Sequence, residues 1–283
     1  MKAKKRSLLI GNDRTVFRPA VMGTCGMVAS AHSLASQTGL NILQNGGNAF
    51  DAAITVNAVL AVTQPHMCGL GGDVFFLFYD NKRKKLTFLN GSGRSATEAT
   101  RDFYRQKALD KIPLRGTLST ITVPGCVDGW NEMHKTYGTM NLQDLLIPAI
   151  HYAEEGHPVS HQLSSWIKEN EPVLAQFPPS AEIFLKDNRA PQPGELLVQK
   201  DLAQTLRSIS KDGCRSFYEG ETAEKISTAI KKYGGILKKE DFSSHSSTWG
   251  EPISTTYRGF NIYQTPPNTQ GMQALLEFNI MEC

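Results

Sequence analysis

Residues 51–62 are nearly all apolar and rich in alanine, the strongest helix former. Asn48 is suited to cap the N-terminus of such a helix, and Gln64-Pro65 follows its last apolar residue. A helix without a polar face must be packed on several sides. The chain is therefore predicted to fold around a buried helix. Its 283 residues, 40% of them hydrophobic, suffice for one large core or two smaller ones.

Two short runs after this helix are typical of β-strands. Residues 74–79 are aromatic and β-branched, and residues 85–89 form a second run after an Asp80-Asn81-Lys82 turn. Together they predict an antiparallel hairpin. Helical spacing predicts helices on both sides of the hairpin, over residues 30–43, 127–137, 142–154, 161–175, 201–209 and 221–232. The pattern by itself indicates a mixed α and β protein.

The last part of the chain alternates again at residues 253–263 and then, after a Pro266-Pro267 turn, takes up a helical pattern near Met272. The apolar positions of this pattern stay in phase as far as Cys283, and no C-capping glycine or proline closes it. They are Met272, Leu275, Leu276 and Ile280. We therefore expect the domain to be truncated at its C-terminus.

The charge pattern does not predict a nucleic-acid or membrane partner. Lys and Arg total 30 against 27 Asp and Glu, and the short basic runs at residues 2–6 and 82–85 lack interleaved aromatic residues. The apolar stretch at residues 8–10 is too short for a signal peptide, and no apolar run is long enough for a membrane span. We expect neither kind of partner, and a cytoplasmic location.

Cysteine and histidine spacing does not predict a metal site. The five cysteines lack any Cys-x-x-Cys spacing, and His66 with Cys68 has no second ligand pair. We interpret the cysteines as reduced thiols and expect neither a metal nor a cofactor. They are Cys25, Cys68, Cys126, Cys214 and Cys283.

A glycine cluster at residues 69–72 follows the apolar helix and precedes the first strand. A nucleotide-binding loop has the opposite order, strand before and helix after. The cluster is therefore interpreted as a tight bend or a close approach of backbones.

Several motifs, in one order, resemble the gamma-glutamyltransferase (gamma-glutamyltranspeptidase) family over about residues 28–282. The first is Gln-Asn-Gly-Gly-Asn-Ala-Phe-Asp-Ala-Ala at 44–53, followed by Ala-Val-Thr-Gln-Pro at 61–65 and the glycine cluster. Later matches are Gly-Ser-Gly-Arg at 91–94, Thr-Val-Pro-Gly at 122–125, Tyr-Gly-Thr-Met at 137–140, Ile-Pro-Ala at 147–149, Gly-Gly-Ile-Leu at 234–237, Asp-Phe at 241–242, Tyr-Arg-Gly-Phe at 257–260 and Pro-Pro at 266–267.

This resemblance implies an α+β fold, the four-layer αββα sandwich of N-terminal-nucleophile hydrolases, incomplete in this chain. Residues 1–27 would be an N-terminal extension and residues 28–283 the large-subunit part of the domain. Family members are made as one precursor that cleaves itself, and the new N-terminal threonine of the small subunit attacks a γ-glutamyl amide. The implied partners are a small-molecule γ-glutamyl substrate and a small subunit that carries the nucleophile.

No residue of this chain matches the family's catalytic threonine. Thr255-Thr256 is followed by Tyr257 where the family has histidine, and it falls in a strand-like segment. Gly116-Thr117 lies in a predicted loop. We therefore expect no catalytic residue in this chain, and no activity or self-cleavage from the chain alone.

Arg94 is the one substrate-binding residue that the resemblance implies, since a family arginine at the matching place holds the substrate's α-carboxylate. A guanidinium suits this role because it stays charged and offers two parallel donors. Some members continue after this arginine with Glu-Met-Ala-Pro, whereas Ser95-Ala96-Thr97-Glu98 follows here. This difference is closer to the gamma-glutamyltransferase-like branch and leaves the substrate preference open.

The resulting functional prediction is the large-subunit portion of a γ-glutamyl hydrolase or transferase that acts on glutathione or a related compound. Water or an amino acid would receive the glutamyl group. Two alternatives remain. The chain could be a catalytically incomplete fragment or a non-catalytic homologue, or it could belong to a related amide acylase of the cephalosporin type.

Overall fold

The computed structural model describes residues 20–118 and 121–282. Among these described residues, none of the helices combines the length and the apolar character needed to span a bilayer. The helices are α1 (Ser33–Gln44), α2 (Ala49–Thr63), α3 (Arg101–Gln106), α4 (Cys126–Tyr137), α5 (Leu142–Glu154), α6 (His161–Glu169), α7 (Glu171–Leu174), α8 (Pro178–Phe184), α9 (Lys200–Asp212), α10 (Arg215–Glu219), α11 (Glu221–Lys232), α12 (Lys239–Ser243) and α13 (Gly271–Glu282).

The strands form antiparallel sheets with the orders β1-β2-β5, β3-β4 and β6-β7. The hairpin expected from the sequence is confirmed as β1-β2, and the alternating segment at residues 253–263 forms a second hairpin, β6-β7. The strands are β1 (Val74–Asp80), β2 (Lys85–Gly91), β3 (His157–Pro158), β4 (Leu196–Leu197), β5 (Thr248–Gly250), β6 (Ile253–Tyr257) and β7 (Phe260–Gln264).

The buried helix expected at residues 51–62 is α2. Asn48 caps it with its side chain, and the Asp51 carboxylate accepts the Asn48 backbone N–H in return, so the first turn has a complete capping box. Both faces of α2 are buried, and it packs against α1, α4 and α5. The buried Thr55 hydroxyl donates a hydrogen bond to the Leu145 carbonyl oxygen at 3.0 Å, so this polar side chain is satisfied inside the core.

One predicted helix is divided in two. Residues 161–175 form α6 and α7, because the Asn170 side chain bonds the Trp166 carbonyl and Pro172 lacks an N–H. Pro178 then begins α8, at a position where a helix needs no N–H donor.

Strand β5 was not expected from the sequence, because it is only three residues long. It pairs with the end of β2, with Thr248 opposite Asn90 and Gly250 opposite Phe88. This pairing places the segment just before β5 beside the point where the chain leaves β2 at Gly91. The candidate site lies at this point.

The expected apolar face of α13 is present in sequence but is mostly uncovered in the described residues. Leu275 is buried, whereas Met272, Leu276 and Ile280 remain 53%, 52% and 74% exposed. Helix α13 packs on the β6-β7 hairpin alone among its larger contacts. An apolar surface of this kind requires a cover to be stable in water.

Candidate functional site

The glycine cluster forms a bend that joins β1 to the start of α4. Gly72 closes a turn on Gly69, and its carbonyl oxygen then accepts the N–H groups of both Gly125 and Cys126 at 2.9 Å. These N–H groups belong to the first turn of α4, which has no acceptor within its own helix. The interpretation of the cluster as a tight bend is confirmed, whereas a close backbone approach at these glycines is not found, since a Cβ atom on any of them would lie at least 3.5 Å from its neighbours.

The chain crosses itself where residues 91–94 meet residues 123–125. A Cβ atom on Gly93 would lie 1.5 Å from the Val123 carbonyl oxygen, and one on Gly125 would lie 2.1 Å from the Gly91 carbonyl oxygen. Only glycine allows two backbones to approach this closely. The Gly-Ser-Gly and Pro-Gly motifs are thus the two halves of one backbone contact.

Hydrogen bonds from three neighbouring residues hold the loop at residues 91–94, here called the arginine loop. The Gly93 N–H donates to Asp73 Oδ1 at 3.0 Å, and the Val123 N–H donates to the Arg94 carbonyl at 2.9 Å. In addition, the Asn268 side-chain amide donates a hydrogen bond to the Ser92 hydroxyl, and this hydroxyl also lies within hydrogen-bond distance of Asn268 Oδ1. The loop backbone is therefore fixed before any ligand binds.

The segment after Arg94 is anchored by a buried carboxylate. Asp241 accepts the Thr97 N–H at 3.0 Å, the Thr97 hydroxyl at 2.6 Å and the Lys238 N–H at 2.9 Å. Burial alone would raise the pKa of Asp241, but these hydrogen bonds to its charged form lower the pKa below its usual value. Asp241 thus remains an acceptor at neutral pH.

The Arg94 side chain is exposed, and its guanidinium makes no hydrogen bond or ion pair within the described part of the chain. An arginine whose own backbone is held while its guanidinium stays unpaired is suited to bind an anion. Carboxylates and phosphates both match two parallel N–H donors, so a substrate carboxylate is suited to this arginine.

The Cys126 thiol at the start of α4 is not a candidate nucleophile. Cys126 is buried, its Sγ lies 3.3 Å from Asn57 Oδ1, and burial raises the pKa of the thiol. The same cause raises the pKa of Cys214 to about 12. A thiol that does not ionise near neutral pH is a poor nucleophile.

Comparison with known proteins identifies the fold around this loop. The family model described as Gamma-glutamyltranspeptidase matches residues 35–283. This chain belongs to the gamma-glutamyltranspeptidase family. The resemblance expected from the sequence motifs is confirmed. The predicted limits 1–27 and 28–283 stay a prediction.

A curated relative within this family is the glutathione hydrolase-like YwrD proenzyme of Bacillus subtilis. It is 48% identical over 263 residues, which cover 93% of this chain and 50% of the relative. The chain thus spans about half the length of this relative.

Two solved structures of the family superpose well on the chain. The gamma-glutamyltranspeptidase of Helicobacter pylori has a TM-score of 0.87 at 34% identity, covering 93% of this chain and 76% of that one. The cephalosporin acylase of Bacillus halodurans has a TM-score of 0.86 at 38% identity, covering 97% of this chain and 53% of that one. The predicted α+β fold of the N-terminal-nucleophile hydrolases is confirmed.

Within this gamma-glutamyltranspeptidase fold, the residues that the sequence analysis considered as site candidates lie in different places. Arg94 lies at the backbone crossing, whereas Thr255 and Thr256 lie inside β6, in the other hairpin. Sequence reasoning missed Asp73 and Asn268 as supports of the arginine loop. Their only signal was position, since one follows the glycine cluster and the other follows the Pro-Pro motif.

Proposed function

We propose that this chain is the large-subunit portion of an enzyme that cleaves the γ-glutamyl amide bond of glutathione or a related compound and transfers the glutamyl group to water or an amino acid. The observation that carries the proposal is the arginine loop, whose backbone is held by Asp73 and Val123 while the Arg94 guanidinium stays unpaired. The family membership and the relative's printed name, a glutathione hydrolase-like proenzyme, support it.

In this proposal the chain binds and orients the substrate. Arg94 receives the α-carboxylate of the glutamyl group through two parallel hydrogen bonds. The partner small subunit supplies a threonine, whose hydroxyl attacks the amide carbonyl and displaces the amine to leave an ester. Water or an acceptor amine then breaks this ester and restores the hydroxyl. A fixed loop helps because a carboxylate held in place positions the amide several bonds away.

The test uses this chain assembled with the small subunit and γ-glutamyl-p-nitroanilide, with p-nitroaniline release as the readout. We expect turnover by the wild type. Absence of turnover by a folded, processed protein would contradict the proposal. The cytoplasmic location expected from the sequence stays a prediction.

An amide acylase is the second candidate, and the likeness to the cephalosporin acylase of Bacillus halodurans favours it. A glutaryl amide separates the two, because it keeps the terminal carboxylate of a glutamyl group but lacks the α-amino group. Arg94 would serve both substrates equally. A higher kcat/KM for glutaryl-p-nitroanilide than for γ-glutamyl-p-nitroanilide would therefore favour the acylase.

A further inference from the structure

A buried histidine with an unpaired nitrogen lies behind the arginine loop. The side chain of His245 is 2% exposed, and its Nε2 is buried with no hydrogen-bond partner among the described residues. The ring stacks on Tyr218 at a centroid distance of 5.5 Å. Leaving a buried polar atom unpaired destabilises a folded protein. Such an atom in a folded protein calls for a functional or structural reason.

A buried carboxylate lies close to this nitrogen. Asp128 Oδ2 lies 4.0 Å from His245 Nε2, too far for a direct hydrogen bond but suitable for a small rearrangement or one bridging water. The same oxygen accepts the Ser247 N–H at 2.6 Å. The Ser247 hydroxyl is also buried without a partner in the described residues, so a bridging water would have several polar neighbours there.

Arg215 compensates the charge of this carboxylate. Its Nη1 lies 3.8 Å from Asp128 Oδ1, and its guanidinium also donates to the carbonyls of His245 and Ser243. Four charged groups therefore surround the imidazole: Asp128 on α4, Arg215 on α10, and Asp73 and Arg94 at the arginine loop.

The imidazole is neutral in this setting. Burial is the main cause that lowers the pKa of His245, and the positive charges of Arg215 and Arg94 act in the same direction. Asp128 and Asp73 oppose this lowering but do not reverse it. A neutral imidazole can donate from Nε2 to a carboxylate without adding a charge beside Arg94.

Two structural routes lead from Asp128 to the arginine loop. Through Ser247 it holds the start of β5, where Thr248 pairs with Asn90 immediately before the loop. Through α4 it lies one turn from the segment whose Val123 N–H holds the Arg94 carbonyl. A change in the orientation of the Asp128 side chain would therefore alter the hydrogen bonds at both ends of the arginine loop.

We propose that His245 is a positioning residue for Arg94, which donates from Nε2 to Asp128, directly or through one buried water, and thereby fixes the arginine loop for the substrate carboxylate. The consequence for substrate binding rests on the proposed function. The effect on the loop backbone does not. Two measurements therefore test the two parts separately.

The first measurement is hydrogen–deuterium exchange of the loop in the 283-residue chain. His245→Leu should raise exchange of the Gly93 and Val123 amides roughly 5-fold, the loss of about one hydrogen bond's worth of protection. Amides of α9 should not change. His245→Gln, whose amide can donate from near the position of Nε2, should restore most of the protection.

The control is His157→Leu, since His157 is a second buried histidine and lies in the separate β3-β4 sheet. It should leave exchange at Gly93 and Val123 unchanged. Equal effects of the two leucine variants on these amides would overturn the proposal, as would an arginine loop that keeps full protection in His245→Leu.

The second measurement is steady-state kinetics of the assembled protein with γ-glutamyl-p-nitroanilide. His245→Leu should raise KM about 10-fold and change kcat by less than about 3-fold, since the carboxylate is bound in both ground and transition states. His245→Gln should restore KM. Unchanged KM in His245→Leu would overturn the role in substrate positioning. If the wild type has no turnover, the proposed function fails, and the exchange comparison still decides whether His245 fixes the loop.

Discussion

Gly93 meets Val123 so closely that a Cβ atom on the glycine would lie 1.5 Å from the valine's carbonyl oxygen. The Val123 N–H, on the same residue, holds the carbonyl of Arg94. One residue therefore sets both the closeness of the crossing and the position of the arginine. The sequence motif Gly-Ser-Gly-Arg thus joins a steric requirement to the arginine that we propose binds the substrate.

Gly93→Ala should disrupt this crossing. No side-chain movement can relieve the overlap, because the clashing atoms belong to the Val123 backbone. We expect a loss of about 3 kcal/mol in the free energy of unfolding. Gly71→Ala is the matched control, since its added Cβ would have no neighbour within 4 Å and should change stability by less than about 1 kcal/mol. Urea unfolding of both variants measures the difference, and equal stabilities would refute the close contact.

Asp51, the only acidic residue in the sequence from 33 to 63, should be highly sensitive to substitution. It is fully buried and accepts the Asn48 N–H, the Thr139 N–H and the Thr139 hydroxyl. Asp51→Ala removes the buried acceptor of these three hydrogen bonds and breaks the capping box of α2, which should cost about 3 kcal/mol of unfolding free energy. Asp144→Ala removes an exposed first-turn acid of α5 and should cost less than about 1 kcal/mol. Similar losses in chemical denaturation would count against this role of Asp51.

The sequence predicted elements whose signals are local. The apolar helix, its Asn48 cap and the 74–79 strand follow from composition and spacing within a few residues. The sequence did not predict β5, a short strand that forms by pairing with the edge of β2. It also did not predict that Asp73, Asp241 and Asn268 support the arginine loop. Those contacts join residues that are far apart in the chain, and no local pattern encodes them.

Arg94 itself was found through resemblance rather than through spacing. A lone arginine after a strand is ordinarily a solvated surface residue, and only the motif marked it as a candidate. The structure adds the backbone contacts that hold it. The buried group behind it, Asp128 with His245, had no sequence signal because its members lie on separate elements.

Stability should fall as the pH drops through the histidine range. Burial, together with the nearby His32, lowers the pKa of His157 to about 4, and burial also lowers the pKa of His245. In the unfolded chain both histidines become protonated near pH 6.5, whereas in the folded chain they become protonated only at lower pH. The stability conferred by the neutral rings is therefore complete above about pH 6.5 and declines as the pH falls towards 4.

For His157 this decline amounts to about 2 kcal/mol between pH 6.5 and pH 5. Urea unfolding at pH 7.5, 6 and 5 measures it. His157→Gln cannot titrate and should show a smaller slope over this range. Hydrogen bonds with Arg189 lower the pKa of Glu195 to about 2, so the stability that this carboxylate contributes is constant above about pH 4.5 and is lost only below it, outside the range tested. An unchanged slope in His157→Gln would show that this ring is already charged or exposed in the folded protein.

Arg94 should control substrate use in the assembled enzyme. Arg94→Ala removes a charge-assisted pair of hydrogen bonds, and Arg94→Lys keeps the charge but loses the second parallel donor. A hydrogen bond to a charged group is worth about 1.5–3 kcal/mol, so the alanine variant should lose roughly 10- to 200-fold in kcat/KM for γ-glutamyl-p-nitroanilide, with lysine in between. Much of the loss should appear in KM, because the carboxylate is charged throughout the reaction.

Self-cleavage of the precursor should survive both substitutions, since it uses the chain's own backbone and no free carboxylate. Arg101→Ala is the matched control, because Arg101 is exposed at the start of α3 and should leave kcat/KM unchanged. A neutral ester of the glutamyl α-carboxyl group provides an independent check. The wild type should turn over this ester much less efficiently than the free acid, whereas Arg94→Ala should turn over the two substrates with nearly equal efficiency. If Arg94→Ala is folded, processed and as active as the wild type on the free acid, the guanidinium does not bind the carboxylate, and Arg94 is a solvated surface residue.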